Sequence, residues 1–155
     1  MTDIVLYPRN ESLGFLIYRT SVLLKSGLRR AFQTNGLDVT PEQWSVLSSL
    51  KEQEGVHQSL LAERTEKDRH NITRILDLLE KHDLIRREAD QNDKRRRLIR
   101  LTETGKALEL ELNPIAGDFL RRAFQGLSNR DLSALTRILD RVTSNLHGTA
   151  KDLGG

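Results

Sequence analysis

The sequence predicts a mainly α fold carrying one small β-hairpin, and three observations lead there. Apolar residues recur at helical spacing through most of the chain. Aromatic residues make up 5% and charged residues 30% of the 155, which leaves the core to Leu, Ile, Val and Ala, a composition suited to packed helices. Two runs alone read as extended backbone, Leu84 to Ala89 and Arg97 to Leu101. They flank a turn-rich tip that begins Asp90-Gln91-Asn92-Asp93. The length fits one domain or two closely fused modules.

Residues 1–10 read as an arm ending at Pro8-Arg9-Asn10. From Glu11 to Gln33, Leu13, Leu16, Ile17, Leu24, Leu28 and Phe32 fall at helical spacing, and Asn35-Gly36 stops the helix. Thr40 then offers an N-cap, Pro41 suits the first helical position, and Gln43 completes a capping box. Val39 and Trp44 stand at the positions of a hydrophobic staple. This helix buries Trp44, Leu47 and Leu50 and ends near Glu54-Gly55. A short helix from Gln58 to Thr65 buries Leu61, although His57 is a poor cap for it. Thr65-Glu66-Lys67 links it to a helix capped by Asp68, whose stripe is Ile72, Ile75, Leu76 and Leu79 and which ends at His82-Asp83.

After the hairpin, Thr102 caps a long helix to about Gln125, kinked at Pro114. Gly126 ends it. Ser128 with Asp131 opens a last helix that carries Leu132, Leu135, Leu139, Val142 and Leu146 on one face and frays after His147. No internal repeat or low-complexity segment interrupts this order. The end helices carry long apolar stripes that one small middle block does not cover, so a second subunit is the expected partner.

A formal net charge of +3 says little, but its distribution says more. Between Arg86 and Arg100 stand Arg86, Arg87, Lys94, Arg95, Arg96, Arg97 and Arg100 against Glu88, Asp90 and Asp93, the footprint of a phosphate-contacting element. Opposite its apolar stripe, the Asp68 helix presents Arg69, His70, Asn71, Thr73, Arg74 and Asp77. Most of these side chains donate hydrogen bonds to bases or phosphates, and they cluster in the first two turns, where a recognition helix enters the major groove. The short helix and tight link before it fit a helix-turn-helix. A solvated polar face would explain that helix alone. The basic hairpin tip directly after it cannot enter a core, and narrow minor grooves attract Arg.

The run from Asp68 to Arg87 resembles the recognition helix and first wing strand of the MarR family of winged helix-turn-helix regulators. Asp93-Lys94-Arg95 is similar to that family's Asp-x-Arg wing signature, and Leu101-Thr102-Glu103-Thr104-Gly105 to the Leu-Thr-x-x-Gly that follows it. The resemblance covers nearly the whole chain. It implies a winged helix-turn-helix over 38–101, flanked by dimerisation helices over 11–34 and 103–147, and a homodimer that regulates transcription from a pseudo-palindromic operator in double-stranded DNA. By position, Arg95 would enter the minor groove between Lys94 and Arg96, and Asp93 would brace the wing by pairing with an Arg. Asn71, Thr73 and Arg74 would face the major groove, with Arg69 and His70 at its edge. Gln58 and Ser59 would meet phosphate through side chains or free N–H groups.

Other chemistries find less support. The chain has no cysteine, which removes disulfides and thiol sensing. His57, His70, His82 and His147 are scattered without metal-ligand spacing, so no metal or other cofactor is expected; all but His70 read as surface residues. Phe15, Tyr18 and Trp44 are core residues or else the wall of a pocket for a small aromatic or phenolic effector, with Arg19 placed to meet a carboxylate. No nucleophile elbow, phosphate loop or zinc motif supports an enzyme, and a pure protein-interaction module leaves the wing arginines without a role. An effector-independent or architectural DNA-binding protein remains the main alternative. The N-terminus lacks the basic and long apolar regions of a signal peptide, and no stretch is apolar enough to span a membrane, so a cytoplasmic protein is expected.

Overall fold

The computed structural model describes residues 12–53 and 55–153. The arm expected over residues 1–10, the helix start at Glu11 and the helix end at Glu54 lie outside the described residues. The chain divides into two compact units, residues 1–120 and 121–155.

In the first unit, α1 (Leu13–Thr34) is capped by Ser12, whose hydroxyl accepts the Phe15 N–H at 3.2 Å. It stops at Asn35 and Gly36, the latter in the left-handed region at φ 76°. Helix α2 (Pro41–Glu52) starts on the full reciprocal capping box: Gln43 N–H donates to Thr40 Oγ1 at 3.1 Å and Thr40 N–H to Gln43 Oε1 at 2.9 Å. Strand β1 (Val56–His57) follows, then α3 (Gln58–Arg64) and α4 (Arg69–Lys81), which ends on His82 and a left-handed Asp83. Strands β2 (Ile85–Ala89) and β3 (Arg97–Leu101) form the hairpin, and α5 (Glu103–Ala123) leaves it.

The sheet is antiparallel in the order β1-β3-β2, with Ile85 opposite Leu101 and Val56 opposite Ile99. A third strand was not expected: two residues are too short to show a period, and their pairing lies about forty positions away. One core gathers Leu28 and Phe32 of α1, Val46, Leu47 and Leu50 of α2, Leu61 of α3 and the four stripe residues of α4. Val39 before α2, Val56 of β1, Ile85, Ile99 and Leu101 of the hairpin and Leu112 and Ala116 of α5 complete it. Each such large aliphatic side chain stabilises the fold by about 1.5–3 kcal/mol on burial. This helix-rich block with its small antiparallel sheet is a winged helix-turn-helix.

Trp44 departs from its expected burial. It is half-buried, meets Phe32 edge-on at 6.0 Å, and donates from Nε1 to Asn113 Oδ1 at 3.3 Å. An indole N–H needs such a partner, and Asn113 supplies it at the surface. Pro114 sits inside α5, and the helix continues past it to Ala123.

In the second unit, α6 (Asn129–Leu153) opens on Ser128 and Asp131, which cap each other: Asp131 N–H donates to Ser128 Oγ at 3.2 Å and Ser128 N–H to Asp131 Oδ2 at 2.8 Å. The helix runs on to Leu153 rather than fraying after His147. Leu135, Ile138, Leu139, Val142 and Leu146 are exposed along it.

Candidate nucleic-acid interface

The candidate interface is built from the first turns of α4, the start of α3 and the hairpin tip. Asp68 opens α4 by accepting the Asn71 N–H at 2.8 Å, and its other oxygen takes Asn71 Nδ2 at 2.6 Å. The Asn71 backbone N–H, chiefly, holds the Asp68 carboxyl below its ordinary range, so the cap is charged at neutral pH. Arg69, His70, Asn71 and Arg74 are exposed on the face opposite the buried stripe. Arg74 and Asn71 border a cleft of about 570 Å³ that also reaches Lys25, Lys67 and Leu78.

Thr73 and Gln58 differ from expectation. Thr73 Oγ1 donates to Arg69 O at 2.7 Å and accepts from Gln58 Nε2 at 2.6 Å. Both side chains are therefore committed to holding α3 against α4 rather than aimed freely outward. Ser59 remains exposed. It joins Gln58, Arg95, Arg96 and Arg97 around a cleft of about 390 Å³ between α3 and the wing, so the structure brings these predicted residues together.

The basic run between Arg86 and Arg100 sorts into two groups. Arg87 reaches back to α4, donating to Asp77 Oδ1 at 2.7 Å and to Glu80. Burial alone would lower its pKa, but those two carboxylates outweigh it and raise it above the ordinary guanidinium value. Glu88 receives Arg86 Nε at 2.6 Å and Arg100 Nε at 2.9 Å. Desolvation pushes its carboxyl up, and the bonds from Arg100 and Arg86 hold it below its ordinary value. Arg86, Arg87 and Arg100 are thus structural. Lys94, Arg95, Arg96 and Arg97 are exposed, and no salt bridge holds them among the described residues.

The tip is shaped by its acids. Asp93 Oδ1 accepts the Arg95 N–H at 3.0 Å, and Asp93 O accepts the Arg96 N–H at 2.9 Å. Asp93 therefore braces the wing through the backbone of Arg95; the expected pairing with an arginine side chain is not found among the described residues. Asp90 Oδ1 accepts the Asn92 N–H at 2.8 Å. The sequence also concealed His57, whose ring lies between Arg97 O and Asp90 Oδ2, at 3.3 Å from each. It is half-buried in the sheet, not free at the surface.

The four residues expected around an effector do not share one described cleft. The Arg19 guanidinium lies over the Phe15 ring at 6.0 Å, Tyr18 is exposed, and Trp44 is engaged with Phe32 and Asn113. Among the described residues no group of three or more His, Asp or Glu could hold a metal. Among the described residues no helix is long and apolar enough to cross a membrane.

Residues 37–96 match the family model described as MarR family. The transcriptional regulator HosA of Escherichia coli is 33% identical over 108 residues, covering 70% of this chain and 79% of HosA. The chain belongs to the MarR family. Among solved structures, a MarR variant from Escherichia coli complexed with operator DNA superposes with a TM-score of 0.77 at 26% identity, covering 84% of this chain and 92% of that one. Bordetella bronchiseptica BpsR, described in connection with regulation of its DNA binding by 6-hydroxynicotinic acid, shares the fold with a TM-score of 0.81 at 23% identity, over 88% and 96% of the two chains. As a MarR-family protein, the chain is a DNA-binding, winged-helix transcriptional regulator.

Proposed function

We propose that this MarR-family regulator is a cytoplasmic homodimeric repressor that reads a pseudo-palindromic operator. In this reading residues 38–101 form the DNA-binding block, and residues 11–34 with 103–147 supply the dimer contacts. The observation that carries it is the division of charge in the hairpin. Three arginines are consumed by Asp77, Glu80 and Glu88, while Lys94, Arg95, Arg96 and Arg97 are left at the tip. A merely solvated hairpin has no need of four neighbouring cations, whose mutual repulsion a phosphate backbone relieves. Arg95 enters the minor groove, and Arg74, Asn71, Arg69 and His70 address the major groove. Thr73 acts by fixing the pitch of α4 against α3. Exposed apolar residues on α1 and on α6, Leu13, Ile17, Leu139 and Leu146 among them, support a second copy as partner.

Two substitutions test the placement on DNA selected by the protein. Arg95→Ala weakens binding and flattens the slope of log affinity against log salt by about one unit for each phosphate that the variant no longer neutralises. Arg74→Ala changes base preference at one position, at a cost of about 1–3 kcal/mol if the pairing with guanine is bidentate. Unchanged affinity and slope for Arg95→Ala would remove the wing from the interface. Equal weakening on selected and random DNA would make Arg74 a phosphate-binding residue.

Release by a small aromatic or phenolic effector completes the reading, supported by the regulation of BpsR's DNA binding by 6-hydroxynicotinic acid. The effector acts only as far as it prefers the form that does not bind DNA. A second reading, effector-independent regulation, draws on the engagement of Trp44 with Phe32 and Asn113 and of Arg19 with the Phe15 ring. Operator titrations with aromatic carboxylates decide between them: a rise in Kd supports the switch, and no change across the series supports the second reading.

A further inference from the structure

His57 stands where β1 gives way to α3, yet its side chain makes no capping hydrogen bond to that helix. The ring turns to the hairpin instead. Nδ1 lies 3.3 Å from the carbonyl oxygen of Arg97, at the start of β3, and Nε2 lies 3.3 Å from Asp90 Oδ2, just beyond the end of β2. The two ring nitrogens thus face the two legs of the hairpin where the tip begins.

Both facing atoms are acceptors. A carbonyl oxygen and an ionised carboxylate have no proton to give, whereas a neutral imidazole donates through one nitrogen and accepts through the other. The neutral ring can satisfy one of these oxygens; the imidazolium satisfies both. Asp90 is held for the purpose: its Oδ1 accepts the Asn92 N–H, and its own N–H donates to Arg96 O at 3.1 Å. The residue after His57, Gln58, donates to Thr73 on the recognition helix. One chain of contacts therefore runs from the tip through Asp90 and His57 to α4. The His57 and Asp90 side chains are 28% and 13% exposed, so water screens them only in part.

We propose that His57 is a positioning residue for DNA binding. Protonation of its ring ties the arginine-bearing tip to the start of α3, so the wing is held in register with the recognition helix more firmly as pH falls. The proposal rests on the reading that the tip arginines contact DNA. The charged groups around the ring act in both directions. Asp90 favours the added proton. Arg87 on β2, Arg97 on β3 and Arg95 and Arg96 at the tip line the same cleft and oppose it, while Gln58 and Ser59 of α3 are uncharged there. Asp77 and Glu80 already balance Arg87, and DNA phosphate on Arg95, Arg96 and Arg97 offsets the opposition of those three, so DNA binding and protonation of His57 reinforce each other.

The test measures operator affinity of the full chain between about pH 8 and pH 6, the range around the ordinary histidine pKa, for the wild type, His57→Gln, Asp90→Asn and Arg95→Ala. Helicity and dimer content are checked for each. The wild type tightens over this range by about two- to fivefold more than His57→Gln, the scale of a partly exposed ion pair. His57→Gln remains near the weaker affinity that the wild type shows at the alkaline end. In Asp90→Asn the amide can donate to a neutral Nε2 while Nδ1–H donates to Arg97 O. That variant therefore keeps its tip tied throughout and loses the same pH dependence. His70, His82 and His147 are common to every variant, and their contributions cancel in the comparison. A His57→Gln profile parallel to the wild type overturns the proposal, as does an Asp90→Asn profile that keeps the full slope. If His57→Gln unfolds, Asp90→Asn decides alone. Arg95→Ala separates the two levels: undiminished affinity there overturns the wing reading itself, whereas weakened affinity there with parallel histidine profiles overturns only the role of His57.

Discussion

Thr102 and Gly105 show how single atoms hold the wing to the helix that follows it. Thr102 Oγ1 donates to Asp83 O at 2.6 Å and accepts the Gly105 N–H at 2.9 Å, so one hydroxyl caps α5 and fastens the turn between α4 and β2. Leu84 crosses directly above: a Cβ on Gly105 would stand 1.9 Å from Leu84 O. The Leu-Thr-x-x-Gly pattern is thus the chemistry of one crossing, with an oxygen needed at its cap and no side chain tolerated at its glycine. Gly105→Ala should cost about 1–3 kcal/mol, because backbone must shift to admit the methyl group. Urea denaturation checks this; a midpoint equal to the wild type would show that the crossing relaxes freely. The sequence displayed these two residues as a motif. It did not display His57 as a sheet residue, because nothing within its own neighbourhood points to Arg97 and Asp90.

Between elements, α2 and α5 are joined by a polar contact inside an otherwise apolar core. Glu109 is 1% exposed, and its two oxygens meet Lys51 Nζ, at 2.5 Å, and Asn113 Nδ2. The lysine contact lacks hydrogen-bond alignment, which leaves Glu109 Oε2 with a charge partner but no directed N–H. Asn113 then takes the Trp44 N–H, so the contact closes back on α2. Removing the cation alone leaves a buried carboxylate without its counter-charge. Lys51→Met should therefore destabilise by about 1–3 kcal/mol, and the double change Lys51→Met with Glu109→Leu should recover most of that stability. Additive effects of the two changes in urea denaturation would contradict the coupling.

Elements with local signals were readable in advance. The capping box of α2 and the i, i+3, i+4, i+7 stripe of α4 are written within a few residues of each other, and the structure bears both out. Strand β1 and the sorting of the hairpin arginines were not readable. Both depend on partners brought close only by the fold: Ile99 for Val56, Asp77 and Glu80 for Arg87. Thr73 and Gln58 make the same point within the candidate interface, since each reads as a DNA-binding residue until the other is seen to occupy it.

At the scale of the molecule, the chain carries one reading head and apolar surface left for a partner. Leu135, Leu139, Val142 and Leu146 repeat along α6 as an exposed stripe, and Leu13, Ile17 and Tyr18 stand exposed at the start of α1. A two-fold pair of such chains would present two α4 helices to successive major grooves about 10 bp apart, with a wing beside each. Selection of bound DNA from a random pool tests this central claim most directly. The account predicts enrichment of an inverted repeat with half-sites about one helical turn apart, bound by two chains. Recovery of no enriched sequence, or of a single half-site bound by one chain, would contradict it.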